Sequence, residues 1–184
     1  MSQGFVVTGL AGSLRAGSYA QALLRELAAL LPAGAAFQAL DIGALPHYNQ
    51  DEDGDPPPAA VAAARARIAA SHAVLLVTPE FNHGLPGVLK NTLDWLSRPA
   101  FASCFAGKPV LFATHSPGAL GGVRAQAQLR ETLASMLCQL VPLPEIAVTY
   151  VDRKLDAAGR LTDAPTRRLL AESMERFLAA LPPR

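Results

Sequence analysis

The sequence predicts an α/β fold of the doubly wound kind, with a five-stranded parallel sheet and helices on both faces. The first observation is order: apolar runs of strand length alternate five times with segments of helical periodicity. Parallel strands need such crossover helices, and the crossovers are right-handed. The second observation is length, because 184 residues suit the strand order 2-1-3-4-5 better than two complete mononucleotide-binding halves. We expect one domain over residues 1–184.

The elements follow from local patterns taken in chain order. The first strand is apolar and β-branched, and the helix after it repeats alanine and leucine at helical spacing. Pro58 is tolerated in the first turn of the alanine-rich second helix. The proline-rich, acidic stretch between the second strand and that helix, residues 43–58, is predicted to be a surface loop. Strands are predicted over residues 5–10, 36–42, 73–78, 110–114 and within 145–150, and helices over residues 19–31, 58–70, 85–96, 123–140 and 164–181.

Charge and composition argue against several classes of partner. The formal net charge is +1 and the 16 basic residues are dispersed, so no basic stripe predicts binding to nucleic acid or an anionic membrane. No apolar run reaches the roughly 18 residues that a spanning helix requires, and no signal-peptide pattern is visible. We therefore expect a cytoplasmic protein. Cys104 and Cys138 form no CxxC pair, which favours two reduced thiols without a chemical role.

Loop 1 (residues 12–18), between the first strand and the first helix, is predicted to bind phosphate. Its glycines permit backbone conformations that a Cβ would forbid, so several N–H groups can converge on a small anion at the positive end of the helix. Its polar side chains, two hydroxyls and one guanidinium, suit phosphate oxygens: Ser13, Ser18 and Arg15. The alternative is an ordinary turn, with Ser18 as the helix N-cap and Arg15 in solvent.

The residues of loop 1 distinguish it from two common phosphate loops. The P-loop needs a Gly-Lys-Ser/Thr ending, and loop 1 contains no lysine. The dinucleotide fingerprint needs three glycines at a set spacing, which Gly9, Gly12 and Gly17 do not have. Hydroxyls and one arginine suit a terminal monophosphate, and flavin mononucleotide (FMN) carries such a group.

Loop 2 (residues 79–84) follows the third strand. In doubly wound sheets ligands lie beyond the carboxyl ends of the strands at the topological switch, here between strands one and three, so loops 1 and 2 should be neighbours. Loop 2 would offer a flavin its backbone groups, the Asn82 side chain and the Phe81 ring. The alternative makes Asn82 or His83 a helix cap and Phe81 a core residue.

Loop 3 (residues 115–122) follows the fourth strand and is predicted to cover another side of the flavin. A metal site built from His83, His115 and Glu80 is poorly supported, because no HxxH or HxxxH spacing and no second carboxylate accompany them. We therefore predict no metal.

A hydrolase is not supported either, since loop 1 contains no GxSxG elbow.

The helix over residues 85–96 carries a second group of polar residues. Lys90 and Asp94 are spaced for an i, i+4 ion pair on an exposed or inter-subunit face. Trp95 is predicted to lie in the core or in a subunit interface rather than against a cofactor.

With these motifs in place, the sequence resembles the NAD(P)H-dependent FMN reductases of the flavodoxin-like superfamily, a group that includes bacterial quinone, azo-dye and chromate reductases. The resemblance covers about residues 6–130 and weakens toward the C-terminus. It depends on three motifs in order: Gly12-Ser13-Leu14-Arg15-x-x-Ser18, Pro79-Glu80-Phe81-Asn82 and Gly87-x-Leu89-Lys90-Asn91-x-x-Asp94-Trp95.

The resemblance implies a set of FMN contacts. The phosphate would be held by loop 1, the ring and ribityl chain would be lined by loop 2, and the isoalloxazine would be touched from the other side by loop 3. Two departures stand out: the family's usual asparagine is Ala20, and its usual tyrosine in loop 2 is Phe81. We therefore predict weaker FMN retention than is usual in the family. The predicted contacts are Ser13, Arg15, Ser18, Tyr19, Ala20, Pro79, Glu80, Phe81, Asn82, Ser116 and Gly118.

The predicted function is transfer of a hydride from NADH or NADPH through FMN to a quinone or a similar small acceptor. Three alternatives stay open: a reductase that releases reduced flavin, an electron carrier, and a flavin-binding or interaction module without turnover. A carrier generally has an acidic docking face, which a net charge of +1 does not favour. The resemblance also implies a homodimer or homotetramer, with the helix over residues 85–96 as one interface.

Overall fold

A computed structural model describes residues 4–182 of the chain. The strands are β1 (Val6–Ala11), β2 (Ala36–Ala39), β3 (Ala73–Pro79), β4 (Pro109–His115), β5 (Gln139–Leu140) and β6 (Ala147–Val148). The helices are α1 (Tyr19–Ala29), α2 (Ala59–Ala70), α3 (Gly87–Leu96), α4 (Val123–Ser135) and α5 (Ala164–Ala179). Short 3-10 turns lie at Ile42–Ala44, Gln50–Glu52 and Val151–Arg153.

The sheet confirms the predicted parallel order 2-1-3-4-5, with one correction to the number of strands. The fifth position is occupied by two short strands instead of one. β5 pairs with the start of β4 at Pro109 and Val110, and β6 pairs with its end at Thr114 and His115. The chain between β5 and β6 leaves the sheet, so the last position is interrupted.

The sheet separates two apolar cores. One core lies between the sheet and the helices α1 and α5, and includes Leu23, Leu75 and Phe177. The other lies under α2, α3 and α4, and includes Ile68 and Trp95. Because β3 and β4 are buried along their whole length, their sequences are apolar on both faces except at their carboxyl ends, as expected for central parallel strands.

Two predicted elements end three or more residues earlier than the sequence pattern indicates. β2 stops at Ala39, because the Asp41 carboxylate accepts a hydrogen bond from the Gly43 backbone and caps a 3-10 turn. α4 ends at Ser135 instead of residue 140, and Leu137 adopts a left-handed φ of 60°. No glycine or proline marks this second break, so the apolar residues Met136, Leu137 and Leu140 continued the helical pattern.

The polar residues of the helix motif in α3 serve the fold. The Lys90 ammonium lies 2.7 Å from the Asp94 carboxylate, which confirms the predicted ion pair. Trp95 is fully buried in the core, and its indole donates to the Pro46 carbonyl. The Asn91 amide donates to the same carbonyl and accepts a hydrogen bond from the Tyr48 backbone N–H. This helix therefore holds the long loop after β2 against the domain surface.

The acidic part of that loop is anchored by arginines. Asp53 pairs with Arg65 at 2.7 Å and with Arg98 at 3.0 Å. Burial alone would raise the pKa of Asp53, but hydrogen bonds from the two guanidinium groups lower it below its ordinary value. Asp53 thus links the loop to α2 and to the segment after α3.

The two cysteines are unpaired, as the sequence predicts. Cys104 and Cys138 are free, half-buried thiols, and burial raises the pKa of the first to about 11 and of the second to about 12. Both are therefore protonated at neutral pH.

Within residues 4–182 no helix is long and apolar enough to cross a membrane.

Candidate functional site

Loops 1, 2 and 3 leave the sheet at the same edge. The register pairs Ala11 at the end of β1 with Val77 of β3, and Pro79 at the end of β3 with His115 of β4. The backbone N–H of Gly12 also donates to the Val77 carbonyl at 2.8 Å. Because these contacts align the carboxyl ends of three adjacent strands, the three predicted loops form one continuous rim above the sheet.

Loop 1 begins with a close approach between two strands. A Cβ on Gly12 would lie 2.3 Å from the Thr78 hydroxyl oxygen and 2.7 Å from the Thr78 Cβ, so a larger residue does not fit. Neither Gly12 nor Gly17 has a positive φ. The expectation that these glycines supply unusual backbone conformations is therefore wrong: Gly12 is required for space, and a Cβ on Gly17 would make only an ordinary contact.

The polar side chains of loop 1 are arranged by contacts within the loop. The Ser18 hydroxyl accepts from the Gln21 backbone N–H, so Ser18 is the N-cap of α1, and the Ser13 hydroxyl accepts from the Arg15 N–H at 3.4 Å. Arg15 is exposed and donates to the Gly17 carbonyl. These contacts agree with the alternative of a capped turn, but they leave the donors of the loop available to an anion.

Backbone N–H groups of loop 1 supply those donors. Among the described residues, the N–H groups of Ala16, Gly17 and Ser18 donate to no acceptor of the chain, and neither do those of Tyr19 and Ala20 at the start of α1. They lie at the positive end of the α1 dipole, where an anion is stabilised. The loop therefore combines free N–H groups, two hydroxyls and a guanidinium.

The next two predicted contact residues differ in their environment. Tyr19 is half-buried: the Arg15 guanidinium lies 5.4 Å from the centre of its ring, and the His115 ring meets it edge-on at 6.1 Å. Ala20 is fully buried in the core under the loop. Its methyl group cannot replace the hydrogen bond of the asparagine that the family usually has at this position, so only its backbone N–H is left to contact a ligand.

Loop 2 ends in a tight two-residue turn. Phe81 and Gly84 exchange both backbone hydrogen bonds, and the residues between them, Asn82 and His83, have φ values of 48° and 64°. Two positive φ values are the geometry of a type I′ turn. Within the described chain, the N–H groups at this tip donate to no acceptor. Phe81 is 58% exposed, so it lies on the rim and not in the core.

Loop 2 is held in place by contacts with helix α4. The Glu80 carboxylate accepts from the backbone N–H groups of Arg124 at 2.9 Å and Ala125 at 3.2 Å, and it pairs with the Arg124 guanidinium. Gly122, which precedes α4, offers no capping side chain, so Glu80 caps the helix from a distance. Just past the loop, the Gln128 side chain accepts from the Leu85 N–H at 2.7 Å.

These supports were missed by sequence analysis. Glu80 was predicted to line the flavin, whereas its side chain lies against the first turn of α4; its backbone remains in loop 2. Gln128 was not singled out, because it lies 43 residues from its partner and belongs to no motif. The absence of a capping residue before α4 was the one available signal that a distant acceptor was needed.

Loop 3 is fastened to the segment after β6. The Ser116 hydroxyl accepts from the Gly118 N–H, the Gly118 carbonyl accepts from the Tyr150 N–H, and the Ser116 carbonyl accepts from the Val151 N–H. Gly121 has a φ of 60° and packs so tightly on Ala147 that a Cβ would lie 2.7 Å from its carbonyl carbon. Ser116 is half-buried and Gly118 is exposed, so both lie at the rim.

The end of β4 contains buried polar atoms without partners. Among the described residues, neither ring nitrogen of His115 nor the Thr114 hydroxyl has a hydrogen-bond partner. Burial lowers the pKa of His115 to about 4, so the imidazole is neutral at physiological pH. His83 and Glu80 do not share a site with it: within residues 4–182 no group of three or more His, Cys, Asp or Glu residues could hold a metal ion.

The residues at this rim fit a phosphate-bearing, flat-ringed ligand. The free N–H groups, hydroxyls and guanidinium of loop 1 fit a monophosphate. The free N–H groups at the tip of loop 2 fit the polar edge of a ring, as FMN has. Exposed apolar side chains on the three loops supply a surface that such a ring would cover: Leu14, Phe81 and Leu120.

Fold and site together define the class: a flavodoxin-like protein whose three rim loops offer donors that fit a phosphate-bearing, flat-ringed ligand. The family follows from comparison with known proteins. The family model for NADPH-dependent FMN reductases matches residues 6–152, and the chain belongs to this family.

Individual relatives agree with the family. An NAD(P)H-dependent FMN reductase of Pseudomonas aeruginosa is 39% identical, over 95% of this chain and 94% of the relative. A 2-hydroxy-1,4-benzoquinone reductase of Burkholderia sp. is 40% identical, over 91% of each chain. Among solved structures, the flavoenzyme NAD(P)H:(acceptor) oxidoreductase FerB of Paracoccus denitrificans is similar with a TM-score of 0.86 and 34% identity, over 96% of this chain and 97% of that one.

Proposed function

We propose that this chain is an FMN-dependent oxidoreductase that takes a hydride from NADH or NADPH and passes electrons to a quinone or a similar small acceptor. The observation that carries the proposal is the rim itself, where three loops with unpartnered donors leave adjacent strands at one edge. Membership of the FMN reductase family and the reductase relatives support it.

In this proposal loop 1 binds the FMN phosphate. Ser13, Arg15 and Ser18 donate to its oxygens, with the N–H groups of Tyr19 and Ala20 at the helix start. To do so, Arg15 exchanges its contact with the Gly17 carbonyl for a charge-assisted one, which is stronger. Holding one end of the ligand fixes its position relative to the other two loops.

Loops 2 and 3 orient the ring. The backbone of Pro79, Glu80 and Asn82 and the Phe81 side chain lie along one part of the rim, and Ser116 and Gly118 lie along another. Because Glu80 and Gln128 tie loop 2 to α4, its donors would be held in fixed positions beside a bound ring. Preorganised donors of this kind cost no reorganisation during the reaction.

The chain itself supplies no acid or nucleophile to the reaction in this proposal. His115, at the end of β4, is neutral and its ring nitrogens are buried, and the thiols are protonated. Bound FMN supplies the redox chemistry, since its ring accepts a hydride and returns electrons to an acceptor. The protein positions the donor and acceptor and stabilises charge.

A visible spectrum tests the proposal. The purified protein is mixed with FMN, desalted, and then treated anaerobically with NADH and, separately, NADPH. We expect a retained flavin band that either nucleotide bleaches and that benzoquinone restores. A protein that keeps no flavin and oxidises neither nucleotide with excess FMN would contradict the proposal.

A second candidate is a reductase that releases reduced flavin. It is favoured by Ala20, whose buried methyl group makes no hydrogen bond to a ligand, and by Phe81, which lacks a hydroxyl. We expect both changes to weaken FMN retention. A submicromolar dissociation constant for FMN would count against this candidate. Negligible steady-state turnover with retained flavin would instead indicate a carrier or a binding module.

The proposed enzyme is one domain, works in the cytoplasm as a homodimer or homotetramer, and needs neither nucleic acid nor a membrane. An oligomer is supported by Phe101, whose apolar ring is 82% exposed in the segment after α3. Analytical ultracentrifugation of the FMN-loaded protein measures the assembly, and a monomer at micromolar concentration would contradict it.

A further inference from the structure

A cavity of about 410 Å³ lies beside loop 1, between α1 and β2. Its volume falls in the range of small-molecule sites. Ser13 and Leu14 of loop 1 form part of its wall, so the cavity is adjacent to the candidate phosphate site. None of the predicted FMN contacts other than Ser13 lines it. The cavity is therefore a separate volume that shares one wall with the flavin site.

Much of the cavity wall is apolar, and it includes one aromatic ring. The Phe37 ring lies against β1 at Gly9: a Cβ on Gly9 would be 2.5 Å from a ring carbon, so only glycine leaves room for the ring. Leu24 of α1 and Leu40 complete this surface. Aromatic and aliphatic walls of this kind suit a flat heterocycle such as a nucleobase.

Two opposite charges line the same cavity without pairing. Arg25 is exposed on α1 and, among the described residues, makes neither a hydrogen bond nor an ion pair. Asp41 follows β2; one of its carboxylate oxygens accepts from the Gly43 N–H at 3.0 Å, and the other has no partner within residues 4–182. A ligand that offers hydroxyl groups to Asp41 and a phosphate to Arg25 would satisfy both.

Arg25 differs from the other arginines near the rim. Arg15 contacts the Gly17 carbonyl and Tyr19, and Arg124 pairs with Glu80. Arg25 also lines a second cavity, of about 450 Å³, and its guanidinium lies beside Gly159 there. Its side chain thus stands between two cavities and is free to contact a phosphate at their boundary.

We propose that the cavity between α1 and β2 binds the adenosine end of the nicotinamide donor, that Asp41 accepts from its ribose, and that Arg25 contacts the 2′-phosphate of NADPH. This inference rests on the proposed function, because only a nicotinamide donor brings an adenosine next to the flavin. Asp41 favours NADH, whose ribose has two free hydroxyls, and Arg25 favours NADPH. The two residues together set the preference between the donors.

Calorimetry with donor fragments tests the site without turnover. The FMN-loaded protein is titrated with 2′,5′-ADP, which carries the phosphate of NADPH, and with 5′-ADP, which does not. We expect Arg25→Ala to weaken 2′,5′-ADP about tenfold or more, the loss of one charge-assisted contact, and to leave 5′-ADP unchanged. The control Arg168→Ala, an exposed arginine on α5, should bind both as the parent does.

Asp41→Asn tests the preference for NADH that we assign to Asp41. Asparagine keeps an acceptor for the Gly43 N–H, so the turn is preserved while the charge is lost. We expect KM for NADH to rise about tenfold and KM for NADPH to stay the same or fall. Equal effects of Arg25→Ala on both fragments, or binding of neither fragment, would overturn the inference.

The failure of this inference is distinguishable from failure of the proposed function. A parent protein that oxidises NADPH with FMN but whose 2′,5′-ADP affinity is independent of Arg25 would overturn the adenosine site and keep the oxidoreductase. A parent that oxidises neither nucleotide yet binds 2′,5′-ADP through Arg25 would overturn the oxidoreductase. That result would support a nucleotide site of another purpose in the same cavity.

Discussion

Loop 1 and loop 2 leave neighbouring strands at the same edge of the sheet, but they are held in place differently. Loop 1 is arranged by its own atoms: Ser13, Arg15 and Ser18 bond to residues within three positions. Loop 2 is held by α4, through residues more than 40 positions away. Local support leaves the loop 1 donors free for a ligand, whereas the most polar side chain of loop 2, Glu80, is used by the fold.

The comparison implies that substitutions in the two loops have separable effects. Changes to the side chains of loop 1 should reduce FMN affinity more than stability. Changes to the supports of loop 2 should reduce stability more than affinity. Three substitutions test this difference and a fourth tests His115, which contacts loop 1 from the end of β4; they follow from the largest expected effect to the smallest.

Gly12→Ala should have the largest effect, because it alters the one position of loop 1 where sheet and loop meet. The added Cβ would overlap both the hydroxyl and the Cβ of Thr78, which cannot rotate out of the way. We expect a loss of about 3 kcal/mol in the free energy of unfolding, measured by denaturant titration. Gly87→Ala is the control, since nothing lies within 4 Å of its Cβ position, and it should be neutral or slightly stabilising.

Arg15→Ala should weaken FMN binding by about 1.5 to 3 kcal/mol, the contribution of one charge-assisted hydrogen bond. The side chain is exposed and contacts only its own loop and Tyr19, so stability should change by less than about 0.5 kcal/mol. Quenching of FMN fluorescence measures the affinity, and Arg168→Ala is again the control. Unchanged affinity would remove Arg15 from the site.

Acidification should destabilise the protein through His115, which adjoins loop 1 by its contact with Tyr19. Its pKa is about 4 in the folded protein against an ordinary 6.5, so between these values the unfolded chain binds a proton that the folded chain does not. Stability is therefore lost as the pH falls through this window. We expect a loss of about 2 kcal/mol between pH 7.5 and pH 5.

His115→Phe isolates that contribution, because phenylalanine keeps a ring against Tyr19 and does not titrate. Its unfolding free energy should change with pH by about 2 kcal/mol less than that of the parent over the same range. Asp53, Asp156 and Asp163 do not obscure the result: their pKa values lie below the ordinary 3.8, so their contribution is lost only in more acidic solution. An identical slope for variant and parent would refute the assignment.

Glu80→Gln should have the smallest effect and the opposite profile to Arg15→Ala. The amide still accepts one hydrogen bond from α4, but the charge at the helix start and the pair with Arg124 are lost. We expect about 1 kcal/mol less stability and an FMN dissociation constant within about twofold of the parent. Glu131→Gln, on an exposed face of α4, is the matched control. A large loss of affinity at unchanged stability would place the Glu80 side chain in the flavin site.

The difference between local and long-range contacts also explains what could be predicted from the sequence. Strand order and loop 1 follow from local signals, namely apolar runs, helical spacing and short-range polar groups, and the order 2-1-3-4-5 was confirmed. The support of loop 2 by Gln128 depends on a contact between distant residues, which periodicity does not encode. The split of the fifth strand was missed because Leu137 adopts a left-handed φ without glycine. The individual FMN contacts predicted in loops 1, 2 and 3 remain predictions.

The interrupted last strand has a consequence for the behaviour of the protein at high concentration. An edge strand exposes backbone groups to which another chain can add, and long, flat edges are therefore prone to aggregate. Here β5 and β6 present only two residues each, separated by a segment that leaves the sheet. So short and broken an edge offers an incoming strand too few hydrogen bonds to add on, and it protects this side of the sheet from edge-to-edge growth.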